Sequence, residues 1–170
     1  MDLHLVGRTA LVTGAASGIG RATAAAFAAE GCALALWDVS AAVTETAADI
    51  AARHGVRASG VRVDVTDFPA VRAAFEEAWA GFGAIDHVVH CAAAGSGRFG
   101  FPFTNLSPED WRRSLDVNVL GMVNVAHAAT PAMAAAGRGT FVFLASVAGQ
   151  IGSQTDPPYS AAKAANINFA

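Results

Sequence analysis

The chain has 170 residues, 54% of them hydrophobic and 15% charged, with a formal net charge of −3. That length fits one domain with a sizeable core, and so apolar a composition excludes a disordered chain. The mild acidity speaks against nucleic acid as a partner, and the most apolar stretch, Val117 to Gly137, carries too many polar interruptions and a Pro131 to be a membrane span.

The pattern alternates strand and helix from the start. Arg8–Thr13 is a short apolar run ending at glycines, which reads as a buried parallel strand. Gly18–Gly31 is Ala-rich and helical, Ala33–Trp37 is a second strand ending at Asp38, and Ala41–His54 is a helix closed by Gly55. Ser59–Asp64 is a third strand. Asp67–Phe82 spaces Val71, Phe75, Ala78 and Trp79 as a helix does, and Ile85–Cys91 is a fourth strand. A Gly-rich loop, Ala94–Phe103, precedes Ser107-Pro-Glu-Asp110, a helix start with Ser as N-cap and Pro at the first helical position. That helix runs to Ala136 and is apolar on several sides, so it is expected to bury against the sheet and against another subunit. Thr140–Ala145 is a fifth strand, and a loop with Pro157-Pro158 leads into a last helix from Tyr159. The predicted fold class is α/β: a doubly wound, Rossmann-like parallel sheet in three layers, α/β/α, forming a single domain over residues 1–170.

Two places carry chemistry. Thr13-Gly-Ala-Ala-Ser-Gly-Ile-Gly20 lies between the first strand and the first helix, where glycines let backbone approach a pyrophosphate and free N–H groups face the anion. Asp38 ends the second strand, 18 residues past Gly20, placed to accept hydrogen bonds from ribose hydroxyls and to repel a 2′-phosphate. No cation stands among Ala15, Ala16, Ser17, Val39 and Ser40, so NAD is expected over NADP. Further on, the chain has one Tyr, Tyr159, and ten of its 11 basic residues are Arg; the single Lys, Lys163, follows that Tyr by four residues. Lys and Arg are not interchangeable, so a lone ammonium beside a lone phenol suggests a chemical role.

Taken together these motifs resemble the short-chain dehydrogenase/reductase family. The resemblance runs from Gly7 to Ala170 and rests on the Thr13–Gly20 loop, Tyr159-Ser-Ala-Ala-Lys163, Ser146, Asn118 within Asp-Val-Asn-Val-Leu-Gly, and Asp64-Val65 after the third strand. It implies hydride transfer between NAD(H) and a secondary alcohol or ketone. Tyr159 would be the general acid/base, Lys163 its tuner and a ribose ligand, Ser146 the group orienting the substrate oxygen, and Asn118 the holder of a water in a proton relay. Gly14, Ser17, Gly18, Ile19, Gly20, Asp38, Asp64, Val65, Ala92, Tyr159 and Lys163 would bind the cofactor, and no metal is implied. A free phenol has a pKa of about 10, too high for a base near neutrality, and an ammonium on the same helix face favours phenolate.

One departure stands out. Where the family usually has Asn-Asn-Ala-Gly, this chain has His90-Cys91-Ala92-Ala93. The two alanines still let a cofactor approach, and His90 is expected to replace an amide structurally. His87 and His90, three apart on a strand, point to opposite faces and cannot chelate one metal. Family members also continue with further strands and a substrate lid, so the chain reads as incomplete at its C-terminus. Homodimers or homotetramers through Trp111–Ala136 are implied. Met1-Asp2-Leu3-His4 lacks the basic start and apolar core expected of a signal peptide, and Cys32 and Cys91, inside apolar stretches, read as reduced core residues of a cytoplasmic protein. The loop Ser96–Phe103, with three Phe and one Arg, reads as core packing plus a surface cation, or else as an apolar pocket with one anion contact. The competing functional reading is a catalytically silent nucleotide-binding or scaffold protein of the same fold.

Overall fold

The computed structural model describes residues 3–170. Five strands, β1 (Thr9–Thr13), β2 (Ala33–Asp38), β3 (Ala58–Arg62), β4 (His87–His90) and β5 (Thr140–Phe143), form one parallel sheet in the order β3-β2-β1-β4-β5. The helices are α1 (Gly18–Ala29), α2 (Val43–His54), α3 (Phe68–Phe82), α4 (Glu109–Leu115), α5 (Gly121–Ala135), α6 (Ala148–Ile151) and α7 (Pro157–Phe169).

β1 is buried at every residue, which is why it reads as a continuous apolar run rather than an alternating one. Alternate side chains enter two cores. Ala10 and Val12 pack with Ala24 and Ala28 of α1 and Val43 and Ile50 of α2. Leu11 packs on the other side with Val71 and Phe75 of α3 and Val125 and Met133 of α5. The alanines of α1 bring that helix close to the sheet. At the lower edge Asp86, 6% exposed, accepts from the Thr9 N–H at 3.0 Å and pairs with Arg138 at 2.8 Å and Arg8 at 3.2 Å, joining β1, β4 and the turn before β5.

Several element ends differ from expectation, each where a side chain competes for backbone groups. β3 stops before Asp64, whose carboxylate turns back to accept from the Thr66 N–H and hydroxyl at 2.9 and 2.8 Å. α2 starts at Val43, after Asp38 and Ser40 have taken the Ser40 and Ala42 N–H groups. α4 starts at Glu109, and Ser107 donates its hydroxyl to Asp110 instead of capping with it. The long helix expected from Ser107 to Ala136 is divided: a π-helical turn, Asp116–Leu120, separates α4 from α5. α7 begins two residues early, because Asp156 caps it and Pro157 and Pro158 fill its first turn. The short α6 was not anticipated. Among the described residues no helix is long and apolar enough to cross a membrane.

Candidate active site

The register aligns the upper ends of the strands. Thr13 stands beside Trp37 and His90, Asp38 beside Arg62, and His90 beside Phe143. Everything that follows a strand therefore emerges at one edge. Strand order reverses between β1 and β4, and an open α/β sheet leaves a crevice at such a point. A cleft of about 930 Å³ lies there. Of the sequence-selected residues it brings together Gly14, Ser17, Gly18, Ile19, Gly20, Asp38, Asp64, Val65, Ala92 and Tyr159 on its walls. Asn118, Ser146 and Lys163 are not on the lining.

The glycine loop is shaped by close approach. Gly14 has φ +66°, and a Cβ there would sit 2.9 Å from the Ala92 nitrogen. A Cβ on Gly20 would run into the Gly14 carbonyl oxygen, so α1 enters the loop at a distance only glycine allows. Ser17 caps α1 in extended conformation with no side-chain bond, and the first turn carries no acidic residue. The N–H groups at this helix start thus face the cleft as donors for an anion.

Beside them, Asp38 accepts from the Ala16 N–H at 3.0 Å and the Ser40 N–H at 2.8 Å. Each carboxylate oxygen keeps a second lone pair for a ligand hydroxyl. Val65 is 6% exposed; its carbonyl accepts from the Asn124 amide at 2.9 Å, and its side chain occupies the space a Cβ on Gly121 would need. Asn124 was not singled out from the sequence.

α7 carries both Tyr159 and Lys163. Lys163 is 1% exposed, and its Nζ donates to the Leu144 carbonyl at 2.5 Å. The same Nζ lies 5.5 Å from the centroid of the Tyr159 ring, which borders the cleft. Burial pushes the Lys163 pKa down, and the nearby Cys91 opposes that shift. Cys91 is half-buried, packing against the core on one side and lining the cleft on the other, whereas Cys32 is fully in the core; burial raises the Cys91 pKa. Ser146 lies beyond β5, and its hydroxyl accepts from the Ala148 N–H at 3.2 Å, starting α6.

Asn118 is fully buried inside the π turn. Its amide donates to the Ala94 carbonyl at 2.6 Å and the Ser114 carbonyl at 2.8 Å, while its Oδ1 has no hydrogen-bond partner among the described residues. With the Asn166 amide oriented to satisfy its neighbours, that group donates to the Asn118 backbone carbonyl at 2.9 Å. The π turn is thus tied to the loop after β4 and to α7.

His90 does take a structural position. Thr13 Oγ1 accepts from the Ala92 N–H at 3.1 Å and lies 3.0 Å from His90 Nδ1. His90 Nε2 is buried with no hydrogen-bond partner among the described residues. Burial, with the Lys163 charge second, pushes the His90 pKa down to about 4. Thr13 was missed as a site residue, although it opens the glycine motif.

The three phenylalanines of the loop are not core: Phe99, Phe101 and Phe103 are 62, 59 and 63% exposed. Arg98 pairs with Asp110 at 2.8 Å. A smaller recess beside the cleft is bounded by Gly95, Gly97, Arg98, Phe99, Arg113 and Asp156, among others, and shares Ala93, Ala94 and Arg113 with the cleft.

The comparisons with known proteins agree with this geometry. The family model described as short chain dehydrogenase matches residues 8–170. The chain is 39% identical over 164 residues to 2-dehydro-3-deoxy-L-rhamnonate dehydrogenase (NAD(+)) of Sphingomonas sp. strain SKA58, covering 96% of this chain and 63% of that protein. It is 40% identical over 165 residues to cis-4-hydroxycyclohexanecarboxylate dehydrogenase of Sinomonas cyclohexanicum, covering 95% and 64%. Among solved structures, NAD+-bound xylitol dehydrogenase superposes with a TM-score of 0.90 at 34% identity, over 97% of this chain and 63% of that one. L-sorbose reductase from Gluconobacter frateurii, complexed with NADPH and L-sorbose, gives 0.91 at 31%, over 99% and 64%. The chain therefore spans a little under two thirds of the length of these relatives. A glycine-lined crevice at the switch point of a parallel sheet, Tyr159 on its wall with Lys163 buried behind it, and a family match over nearly every residue converge: the chain belongs to the short-chain dehydrogenase family.

Proposed function

We propose that the protein is an NAD-dependent oxidoreductase acting on a secondary alcohol or the corresponding ketone, with Tyr159 as general acid/base. The observation that carries this reading is the buried Lys163 ammonium 5.5 Å from the ring of Tyr159, at the wall of the glycine-lined cleft. A nicotinamide dinucleotide bound there supplies the hydride acceptor for oxidation or the donor for reduction.

The chain's own groups do the rest. The N–H groups at the start of α1, with Gly14, Gly18 and Gly20, hold the pyrophosphate. Asp38 accepts from the adenosine ribose hydroxyls, and Asp64 and Val65 border the adenine. Tyr159 takes the proton from the alcohol oxygen, or returns it to the ketone oxygen. Lys163 stabilises negative charge developing on the phenol oxygen and binds the nicotinamide ribose through donors not spent on Leu144. Ser146 donates to the substrate oxygen. Asn118 holds a water that passes the proton onward, its buried Oδ1 being a ready acceptor. Ala92 lets the nicotinamide end approach the sheet.

NAD is proposed over NADP because the Asp38 carboxylate would face a 2′-phosphate. The cleft's two arginines, Arg112 and Arg113, come from α4 rather than from the loop beside Asp38. Two of the relatives above are named for NAD and one solved neighbour is complexed with NADPH, so the preference is a property of this chain to be measured. We further propose a cytoplasmic protein that assembles as a homodimer or homotetramer.

The test is steady-state hydride transfer, followed at the NADH absorbance, against a panel of cyclic, linear and polyol secondary alcohols. The proposal expects turnover with at least one of them, with a kcat/KM for NAD+ roughly tenfold or more above that for NADP+. Binding of NADH without turnover across the panel would favour the catalytically silent reading.

A further inference from the structure

We propose that Asp156 is a positioning residue that fixes the loop 94–103 against the start of α7, and so sets the distance between the substrate-facing wall and Tyr159. The inference rests on the reading of Tyr159 given above.

The observations are all direct contacts. Asp156 Oδ1 accepts from the Tyr159 N–H at 3.3 Å, capping the helix that carries the phenol. Asp156 Oδ2 accepts from the Ser96 N–H at 3.0 Å, in the loop that follows β4. One residue earlier, the Thr155 carbonyl accepts from the Gly100 N–H at 2.8 Å, a second point of attachment. The loop lies so close that a Cβ on Gly95 would stand 2.5 Å from Asp156 Oδ2, and one on Gly100 would stand 2.6 Å from Pro157 Cδ. Asp156, Gly95, Gly97 and Phe99 border the recess that adjoins the cleft.

The chemistry needs a carboxylate. Two backbone donors from different elements approach two oxygens, and each bond is charge-assisted. An amide offers one oxygen and one NH2 group, so one of the two N–H groups would meet a donor. A serine caps a helix nearly as well as an aspartate, yet it has a single acceptor oxygen and cannot also hold Ser96. Asp156→Ser therefore separates the two functions: the cap stays and the loop loses its tether at Ser96, keeping only that at Gly100.

The experiment measures KM and kcat for an alcohol that wild type turns over, and the dissociation constant of NADH, in Asp156→Ser, Gly95→Ala and the double variant. Asp156→Ser should raise the alcohol KM by about tenfold, the scale of one lost charge-assisted hydrogen bond, with kcat and NADH affinity within about threefold. Gly95→Ala should shift KM in the same direction, since its methyl displaces the carboxylate. In the Asp156→Ser background it should add less than about twofold, because the group it strikes is gone. An unchanged KM in Asp156→Ser would reduce Asp156 to a helix cap and overturn the proposal. So would full multiplication of the two effects, or an equal rise in the NADH dissociation constant. Tyr159→Phe is run alongside: retained turnover there would overturn the underlying reading, whereas lost turnover there with a wild-type KM in Asp156→Ser would overturn this inference alone.

Discussion

His90 is the residue at which the chain departs most from the family's usual Asn-Asn-Ala-Gly, and its burial gives that departure a measurable consequence. An imidazole 1% exposed, with the Lys163 charge nearby, is held at a pKa of about 4 against about 6.5 in an unfolded chain. Between those values the unfolded chain binds a proton that the folded chain refuses. Stability is therefore whole above pH 6.5, falls as the pH drops, and is down by roughly 3 kcal/mol once the pH is below 4. His90→Asn keeps a polar group near Thr13 and removes the proton uptake. Urea unfolding at pH 7 and pH 4.5 should show wild type losing about 2–3 kcal/mol more than the variant over that interval. Parallel losses would contradict the burial-driven shift. Lys163 could be picked out from composition alone, being one Lys among many Arg. Thr13 could not, since a threonine ending a buried strand has no spacing that marks it as the hydroxyl joining β1 to the loop after β4.

The central elements were legible because β1 and β2 are buried apolar runs and α2 and α3 stop at glycine, whereas the edge strands β3 and β5 are only partly buried. Their ends were legible only where no side chain competes. Asp64 and Ser40 each take backbone N–H groups, which pulled the observed limits of β3 and α2 inward from those expected. The π turn at Asp116–Leu120 widens the helix with no Gly or Pro inside it, and the sequence reading expected one continuous helix there. α7 was a missed opportunity: Asp-Pro-Pro before Tyr159 is a helix start, with an N-cap carboxylate followed by prolines that need no donor. The junction of β1 and α1 is the element-scale feature most exposed to a single methyl. In Gly20→Ala the new Cβ meets the Gly14 carbonyl, so either α1 backs away or the loop opens. NADH affinity by fluorescence titration should fall by about tenfold or more, with about 1–3 kcal/mol lost in stability. Wild-type affinity in that variant would contradict the tight-turn account.

At the scale of the whole molecule, the sheet order places the glycine loop, Asp38, Asp64 and Ala92 at one edge, and α7 brings Tyr159 to the same edge from the far end of the sequence. The sequence motifs named these residues; only the topology explains how positions 14 and 159 share a cleft. What the sequence did not show is how groups off the cleft lining are held, such as Asn118 beneath the loop after β4 and Asp156 between that loop and α7. The account as a whole stands on a phenol that moves a proton while the cleft around it binds nucleotide independently. Tyr159→Phe removes one oxygen and leaves the ring, Lys163 and the glycine loop in place. The decisive measurement is therefore turnover and NADH binding on the same preparation of this variant. The account predicts a fall in kcat of at least about a thousandfold with an NADH dissociation constant within about twofold of wild type; turnover near the wild-type rate would contradict it.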